Sequence, residues 1–219
     1  MPWSKEQLAE RVAMDLREGW YVNLGIGLPT AIVGRIPKDR EVVLQSENGI
    51  LGVTPLEGEP DDDLVHAGKS AVSISPGGSF FDSVTSFTMI RGGRLDAAVL
   101  GAYEVSATGD IASWRNESDS IAGRIGGVGG AADIAVGARR LWVMIRHVTA
   151  DGRPKIAREC RLPLTAKSVV DRVYSDCGIL DVTGGPLRVR ELAPGVSTDD
   201  LRKNTEAELD FSVLGTPQR

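Results

Sequence analysis

Cysteine and histidine are almost absent from this sequence of 219 residues. Cys160 and Cys177 are the only thiols, and they form no Cys-x-x-Cys pair. Two buried structural thiols are expected, with neither a zinc site nor a disulfide framework. His66 and His147 are the only imidazoles, which leaves no material for a histidine-rich metal centre. A Ser/His/Asp triad would have to use one of them, and no Gly-x-Ser-x-Gly elbow supplies the serine. No apolar run approaches the ~20 residues of a membrane span. The net charge of −5 offers no attraction for nucleic acid or an anionic membrane. The N-terminus, "MPWSKEQLAERV", is charged from the start, unlike a secretory signal, so the cytoplasm is the expected location. Internal repeats and low-complexity tracts are missing too. Chemistry in such a chain has to run on carboxylates, backbone amides and a bound cofactor.

What remains is ordinary globular material: 42% hydrophobic and 25% charged residues, with glycine unusually common at 26. "SKEQLAERVAMDLREG" reads as a first helix. Ser4 and Gln7 suit a capping box, Leu8, Val12 and Leu16 share a face, and Gly19 stops it. "WYVNLGIG" reads as a strand, "PTAIVGRI" as a short helix with Pro29 early, and "EVVLQ" as the next strand. "TPLEGEPDDDLVHAG" is a polar loop and "AVSIS" a strand. "DSVTSFTMIRGG" is a helix capped by Asp82, and "LDAAVLGA" a strand apolar enough for burial on both faces. "RRLWVMIRHV" and "CGILDV" follow as strands, "LRVREL" as an edge strand, and "STDDLRKN" as a capped helix. Strands alternating with short helices predict an α/β layered fold, with a mostly parallel or mixed central sheet flanked by helices. No linker interrupts the chain, so a single domain over 1–219 is expected.

Three stretches can carry chemistry. In "VVLQSENGIL", Glu47 falls just past a strand end, where ligands sit in open α/β sheets. Ser46, Asn48 and Gly49 supply a tight turn, because Gly tolerates a positive φ and Asn nearly does. The turn would project Glu47 into a crevice; locally, a solvated turn carboxylate fits as well. In "GRIGGVGGAADIAVGARR", glycines precede a helix starting near Gly130, so exposed amides could cradle an anion, or the loop could simply pack closely. Gly127, Gly129 and Ala132 match Gly-x-Gly-x-x-Gly/Ala, but the segment follows polar "RNESDSIAG" and not a first strand, which disfavours a dinucleotide fold. In "NLGIGLPT", Gly25 and Gly27 let backbone approach a ligand or another chain, or pack tightly. The acidic run Asp61, Asp62 and Asp63 has no second ligand cluster and reads as a solvated face.

"YVNLGIGLPT", "SENGILG", "PGGSFFDSVTSF", "IRGGRLDAAVLGA", "GVGGAADIAVGAR" and "DGRPKI" followed by "LPLT" occur in one order. That order resembles the family I CoA-transferases, in particular the B-type (beta) subunits of the 3-oxoacid and 3-oxoadipate CoA-transferases, over about residues 4 to 200. The resemblance implies that Glu47 is the nucleophile, supported by its turn residues Ser46, Asn48 and Gly49. It implies that the loop of Gly127, Gly129, Gly130 and Ala131 binds CoA and the oxyanion, beside the strand-end glycines Gly25 and Gly27. It also implies CoA and succinyl-CoA as substrates, no permanently bound cofactor and no metal. The partner would be a separate A-type (alpha) CoA-transferase chain, in a heterodimer or heterotetramer.

The sequence departs from the family pattern in several places. Val128 and Ala132 replace two methionines of the glycine loop, Arg146 stands where an acidic residue is usual, and "SDCGI" replaces "TDLAV". The branch resemblance favours 3-oxoadipate over acetoacetate as acceptor. A second carboxylate on the acceptor needs a cation or several amides to avoid unpaired burial, and Arg146, Arg124 and Arg115 are the candidates. Two rival readings keep the fold: a CoA-thioester hydrolase or C–C lyase, and a non-catalytic chain that only completes another's site. An intact Glu47 turn argues against both.

Overall fold

The computed structural model describes residues 1–116 and 127–215. Helix α1 (Lys5–Asp15) starts where expected. The Gln7 amide donates to Ser4 Oγ (3.2 Å) while the Ser4 amide donates to Gln7 Oε1 (2.9 Å), a reciprocal cap worth about 1 kcal/mol. Strand β1 (Trp20–Leu24) leads through Gly27 into a 3-10 helix (Leu28–Arg35), tighter than the α-helical turn expected. Strands β2 (Val42–Ser46) and β3 (Ile50–Thr54) then form a hairpin. β4 (Ser73–Phe80) runs past the expected "AVSIS" through Pro76 and two glycines, and helix α2 (Ser83–Arg91) is capped by Asp82. β5 (Ala97–Gly101), β6 (Glu104–Ser106), β7 (Ile111–Ala112), helix α3 (Ala131–Gly137) and β8 (Leu141–Ile145) follow. The chain continues through β9 (Ile156–Ala157), β10 (Val170–Ser175), β11 (Gly178–Asp181) and β12 (Leu187–Leu192). Helix α4 (Thr198–Lys203), with a Ser197/Asp200 capping box, and β13 (Leu209–Asp210) complete it.

Ten strands make one mixed sheet in the order β13-β12-β11-β10-β8-β5-β1-β2-β3-β4. Its centre, β10, β8, β5, β1 and β2, is parallel, so these strands all end along one edge. β11 and β12 on one flank, and β3 and β4 on the other, are antiparallel. The mixed α/β sheet is the architecture expected from the sequence. "LRVREL" is not the edge strand predicted for it, because the two-residue β13 pairs outside β12. β6, β7 and β9 form a second, three-stranded sheet that the sequence did not announce.

Residue alternation along the central strands builds two cores. Val22, Leu44, Val99, Trp142 and Tyr174 face α1 and the 3-10 helix. Ala98, Leu100, Val143, Ile145 and Val173 face the opposite side, packed with Ile90 of α2 and Ile134 of α3. Val99 and Val143 are 0% exposed, as a strand buried on both faces requires. Among the described residues, no helix is long and apolar enough to cross a membrane.

Candidate active site

The edge where the parallel strands end carries Glu47. β2 stops at Ser46, and Ser46 pairs with Ile50 across the hairpin, so Glu47, Asn48 and Gly49 form its loop. The Gly49 amide closes the turn on Ser46 O (3.0 Å). Gly49 has φ +111°, and a Cβ there would lie 2.0 Å from Phe81 O; only glycine fits. Phe81 N in turn donates to Gly49 O (3.0 Å), fastening the hairpin tip to the segment that enters α2. On the far side, Ser46 Oγ accepts from Ala67 N (2.9 Å) and Asn48 Nδ2 donates to Val65 O (2.8 Å). The polar loop is thereby clamped to the turn. Ser46, Asn48 and Gly49 each make one of these contacts at the turn.

A buried polar chain lies beneath. Asn23 Nδ2 donates to Gln45 Oε1 (2.7 Å) and Gln45 O (3.2 Å), and Gln45 Nε2 donates to Ser86 Oγ (2.8 Å). These bonds tie β1, β2 and α2 together directly under Glu47. The sequence reading missed this chain. A glutamine next to a strand-end serine, with an asparagine at the matching point of the neighbouring strand, was the available signal.

Alternation puts Glu47 on the α2/α3 side of the sheet, where it lines a cavity of about 250 Å³. Gly25 and Ile26 enter the wall from β1, Leu100 and Gly101 from β5, and Gly127, Gly129, Gly130 and Ala131 from the glycine loop. Ser113 and Trp114, which the sequence did not single out, also face it. They are held by Ser113 N to Thr165 Oγ1 (3.0 Å) and Trp114 Nε1 to Leu164 O (3.2 Å). Gly130 lies against the carboxylate arm: a Cβ there would be 3.7 Å from Glu47 Cγ and 2.9 Å from Phe87 Cζ. Gly129 has φ +52°, turning the loop toward α3. Among the described residues, the Gly129 and Gly130 N–H groups meet no protein acceptor.

Several expectations need correction. The Ala131 amide donates to Val128 O (3.1 Å), so it is committed within the loop and not directed at an anion. Gly27 does not line the cavity; at φ +97° it turns the chain into the 3-10 helix. Gly25 does, but it also packs tightly, since a Cβ would meet Leu100 Cδ2 at 2.9 Å. Arg146 points away, 63% exposed and paired with Asp176 (3.2 Å). Arg115 follows Trp114 but does not line the cavity, and Arg124 lies outside the described residues.

The remaining reactive side chains are occupied elsewhere. His147 is fully buried, with Nδ1 on Ser175 Oγ (2.8 Å) and Nε2 on Thr205 Oγ1 (2.9 Å). Burial pulls its pKa down to about 4, so it is a neutral structural imidazole. Burial pushes the Cys160 thiol up to about 12 and the Cys177 thiol to about 11, which leaves both un-ionised. No group of three or more His, Cys, Asp or Glu among the described residues is placed to hold a metal ion. Larger cavities of about 380 Å³ beneath the polar loop and about 970 Å³ at the opposite sheet edge do not contain Glu47.

Comparison with known proteins decides what this arrangement belongs to. The family profile described as Coenzyme A transferase matches residues 5–204. This chain belongs to the coenzyme A transferase family. It is 48% identical over 202 residues to the B-type subunit of a 3-oxoadipate CoA-transferase from Pseudomonas putida, covering 91% of this chain and 93% of that one. It is 43% identical over 211 residues to the B-type subunit of a succinyl-CoA:3-ketoacid coenzyme A transferase from Helicobacter pylori, covering 95% and 100%. Among solved structures, the acyl-CoA transferase YdiF apoenzyme of Escherichia coli O157:H7 superposes with a TM-score of 0.75 at 20% identity. That alignment covers 97% of this chain and 42% of the other, so this chain spans less than half of that protein and shares its fold. As a CoA-transferase, the chain takes part in moving the thiol of CoA between carboxylic acids, chemistry that needs neither metal nor imidazole.

Proposed function

We propose that this chain is the B-type half of a cytoplasmic CoA-transferase that passes CoA from succinyl-CoA to 3-oxoadipate through a glutamyl-CoA thioester on Glu47. The observation that carries the reading is the Glu47 carboxylate on its clamped turn, with the Gly130 backbone laid against it. The relatives' names support the rest. The Pseudomonas relative is called a 3-oxoadipate transferase and the Helicobacter relative a succinyl-CoA:3-ketoacid transferase, and identity is higher to the first. Both are named as B-type chains, which supports an A-type partner chain in a heterodimer or heterotetramer.

The Glu47 carboxylate attacks the acyl carbon of succinyl-CoA. The carbon–sulfur bond breaks, giving an acyl-glutamyl anhydride and CoA thiolate. The thiolate then attacks the Glu47 carbonyl, succinate leaves, and the glutamyl-CoA thioester remains. The acceptor carboxylate attacks that thioester and the same steps run backwards, freeing Glu47. Covalent catalysis divides one difficult exchange into easier ones. Each tetrahedral oxyanion needs fixed donors, and the free Gly129 and Gly130 amides are suited to that work. The Gln45 chain below keeps the nucleophile from drifting. Trp114 and Ile26 help to exclude water, which would hydrolyse anhydride or thioester.

Incubating the reconstituted complex with succinyl-CoA should make the Glu47 peptide trappable by hydroxylamine or borohydride. Glu47→Gln should abolish both label and exchange; normal turnover by that variant would end the mechanism. Comparing kcat/KM for 3-oxoadipate and acetoacetate tests the acceptor. A tenfold preference for acetoacetate, about 1.4 kcal/mol of transition-state binding, would reverse that assignment and leave the Glu47 chemistry standing.

A further inference from the structure

A second cavity has a volume of about 500 Å³. It has no lining residue in common with the Glu47 cavity, but the same two stretches of chain run from one to the other. Leu100 and Gly101 face the first while Tyr103 and Glu104, a few residues on, face the second. Ser113 and Trp114 likewise face the first, and Asn116 the second. The "DGRPKI" stretch, which the chemistry at Glu47 leaves unexplained, builds the far wall with Arg153, Pro154 and Lys155. Lys155 is pinned on both sides. Its N–H donates to His147 O (3.0 Å) and its carbonyl accepts from Val105 N (2.9 Å). Its side chain is partly buried, and its ammonium donates to Ala102 O (3.3 Å), just beyond the end of β5.

The carboxylates around this cavity are taken up by its arginines. Arg161 pairs with Glu104 (3.3 Å) and Glu206 (2.5 Å), and Arg153 with Asp151 (3.0 Å). Glu104, nearly buried, also accepts from the amides of Arg161 (2.7 Å) and Leu162 (3.0 Å). Among the described residues, no carboxylate lies within ion-pair distance of Lys155. Burial accordingly pulls its pKa down. Asp176 and Glu104 offset this only in part and from beyond ion-pair distance; a partly desolvated ammonium without a direct partner is costly, and a bound anion lowers that cost.

We propose that the second cavity seats the distal carboxylate of a dicarboxylic acyl group, with Lys155 as its counter-ion. The inference rests on the proposed transfer at Glu47, and it assigns to Lys155 the specificity role that Arg146 does not fill. The Lys155 ammonium is one positive charge with no carboxylate at ion-pair distance among the described residues, which suits the single charge of a carboxylate better than a pyrophosphate. The ends of β5 and β2 are also two strand spacings apart, about 10 Å, a gap that an extended acyl chain and two side chains can bridge. Succinyl and 3-oxoadipyl groups both carry such a carboxylate, so one cation serves donor and acceptor in turn.

The test uses the complex reconstituted with its A-type partner and the variants Lys155→Met and Lys155→Arg. With a monocarboxylic acyl-CoA such as acetoacetyl-CoA as donor, KM for a dicarboxylic 3-oxo acid should rise tenfold or more in Lys155→Met. KM for a monocarboxylic acid should stay within twofold, and Lys155→Arg should recover much of the loss. Calorimetric binding of succinate to the complex should weaken in parallel, a readout that needs no turnover. Equal losses for mono- and dicarboxylic acids, weakened binding of free CoA alone, or no change would each overturn the proposal. Failure of Glu47 labelling in the wild-type complex would instead refute the transfer mechanism, whatever Lys155 does.

Discussion

Gly130→Ala is a clean probe of the glycine loop. Gly130 has φ −79° and ψ −4°, a conformation alanine adopts freely, so no backbone strain is introduced. The added methyl would lie 2.9 Å from Phe87 Cζ and 3.0 Å from Phe87 Cε1, but 3.7 Å from Glu47 Cγ, an ordinary contact. The clash is therefore with the ring, and either Phe87 or the loop must give by roughly half an ångström. Overpacking of this kind costs about 1–3 kcal/mol, partly offset by about 0.4–1 kcal/mol from the stiffer unfolded chain. Net stability should fall by no more than about 2.6 kcal/mol. Activity should fall further. A misplacement approaching 1 Å costs up to about a hundredfold, and an oxyanion donor is worth about 10²–10³ in kcat. The expected result is a folded complex with kcat reduced about 10- to 100-fold and KM little changed. Combining Gly130→Ala with Phe87→Leu removes the ring atoms responsible and should restore most of the rate, a positive coupling in a double-mutant cycle. Wild-type kcat in folded Gly130→Ala would refute the reasoning, as would a rate loss that Phe87→Leu leaves untouched.

Gly49→Ala should be far more damaging to the fold, because the methyl would meet the Phe81 carbonyl at 2.0 Å in a φ +111° backbone; denaturation should show a loss of about 3 kcal/mol or more. Gln45→Leu strips the partner from Ser86 and one from Asn23, both fully buried. It should cost about 2–3 kcal/mol and lower kcat more than it raises KM, whereas an unaltered melting curve would count against the buried chain. His147 is held neutral, its pKa lowered from 6.5 to about 4, so on acidification the unfolded chain takes up this proton first. Its contribution to stability is complete above about pH 6.5 and is lost as pH falls toward about 4, at up to about 1.4 kcal/mol per pH unit. Urea midpoints near pH 7 and near pH 5 should show a shallower acid loss in His147→Gln; parallel losses in the two proteins would exclude this account.

Local signals in the sequence were sufficient wherever local physics decides. The Ser4/Gln7 and Ser197/Asp200 boxes cap helices through bonds three residues apart, and the Asp82 cap works within its own turn. Glu47-Asn48-Gly49 read as a tight turn past a strand, which is what a hairpin loop with a positive-φ glycine requires. The order of motifs also led to the family. Strand β10 escaped because "VDRVYS" carries Asp171 and Arg172, which look unsuited to an interior strand. Asp171 accepts from the Leu141 amide (2.7 Å) and Arg172 pairs with Asp15 (3.0 Å) and Asp181 (2.6 Å). Those partners are remote in sequence or lie across the sheet, so only the assembled fold makes the charges acceptable. β3 escaped because Gly52, at φ +88°, interrupts its alternation, and what crowds it, Ser75 Oγ and Gly78 Cα at 2.6 and 3.1 Å from where a Cβ would stand, comes from β4.

The site divides in the same way. Which residue carries the carboxylate, and that its turn needs glycine, follow from covalent geometry and could be read directly. Which loop faces that carboxylate could not. Gly130 stands more than eighty residues from Glu47 and reaches it because α3 packs beside α2 on one face of the parallel sheet. That the Ala131 amide is committed, while those of Gly129 and Gly130 meet no acceptor among the described residues, follows from the loop turning back so that Ala131 N reaches Val128 O. That Arg146 turns outward to Asp176 while Lys155 turns inward beside Ala102 is decided by side-chain direction at the ends of strands, where sequence alternation has already stopped.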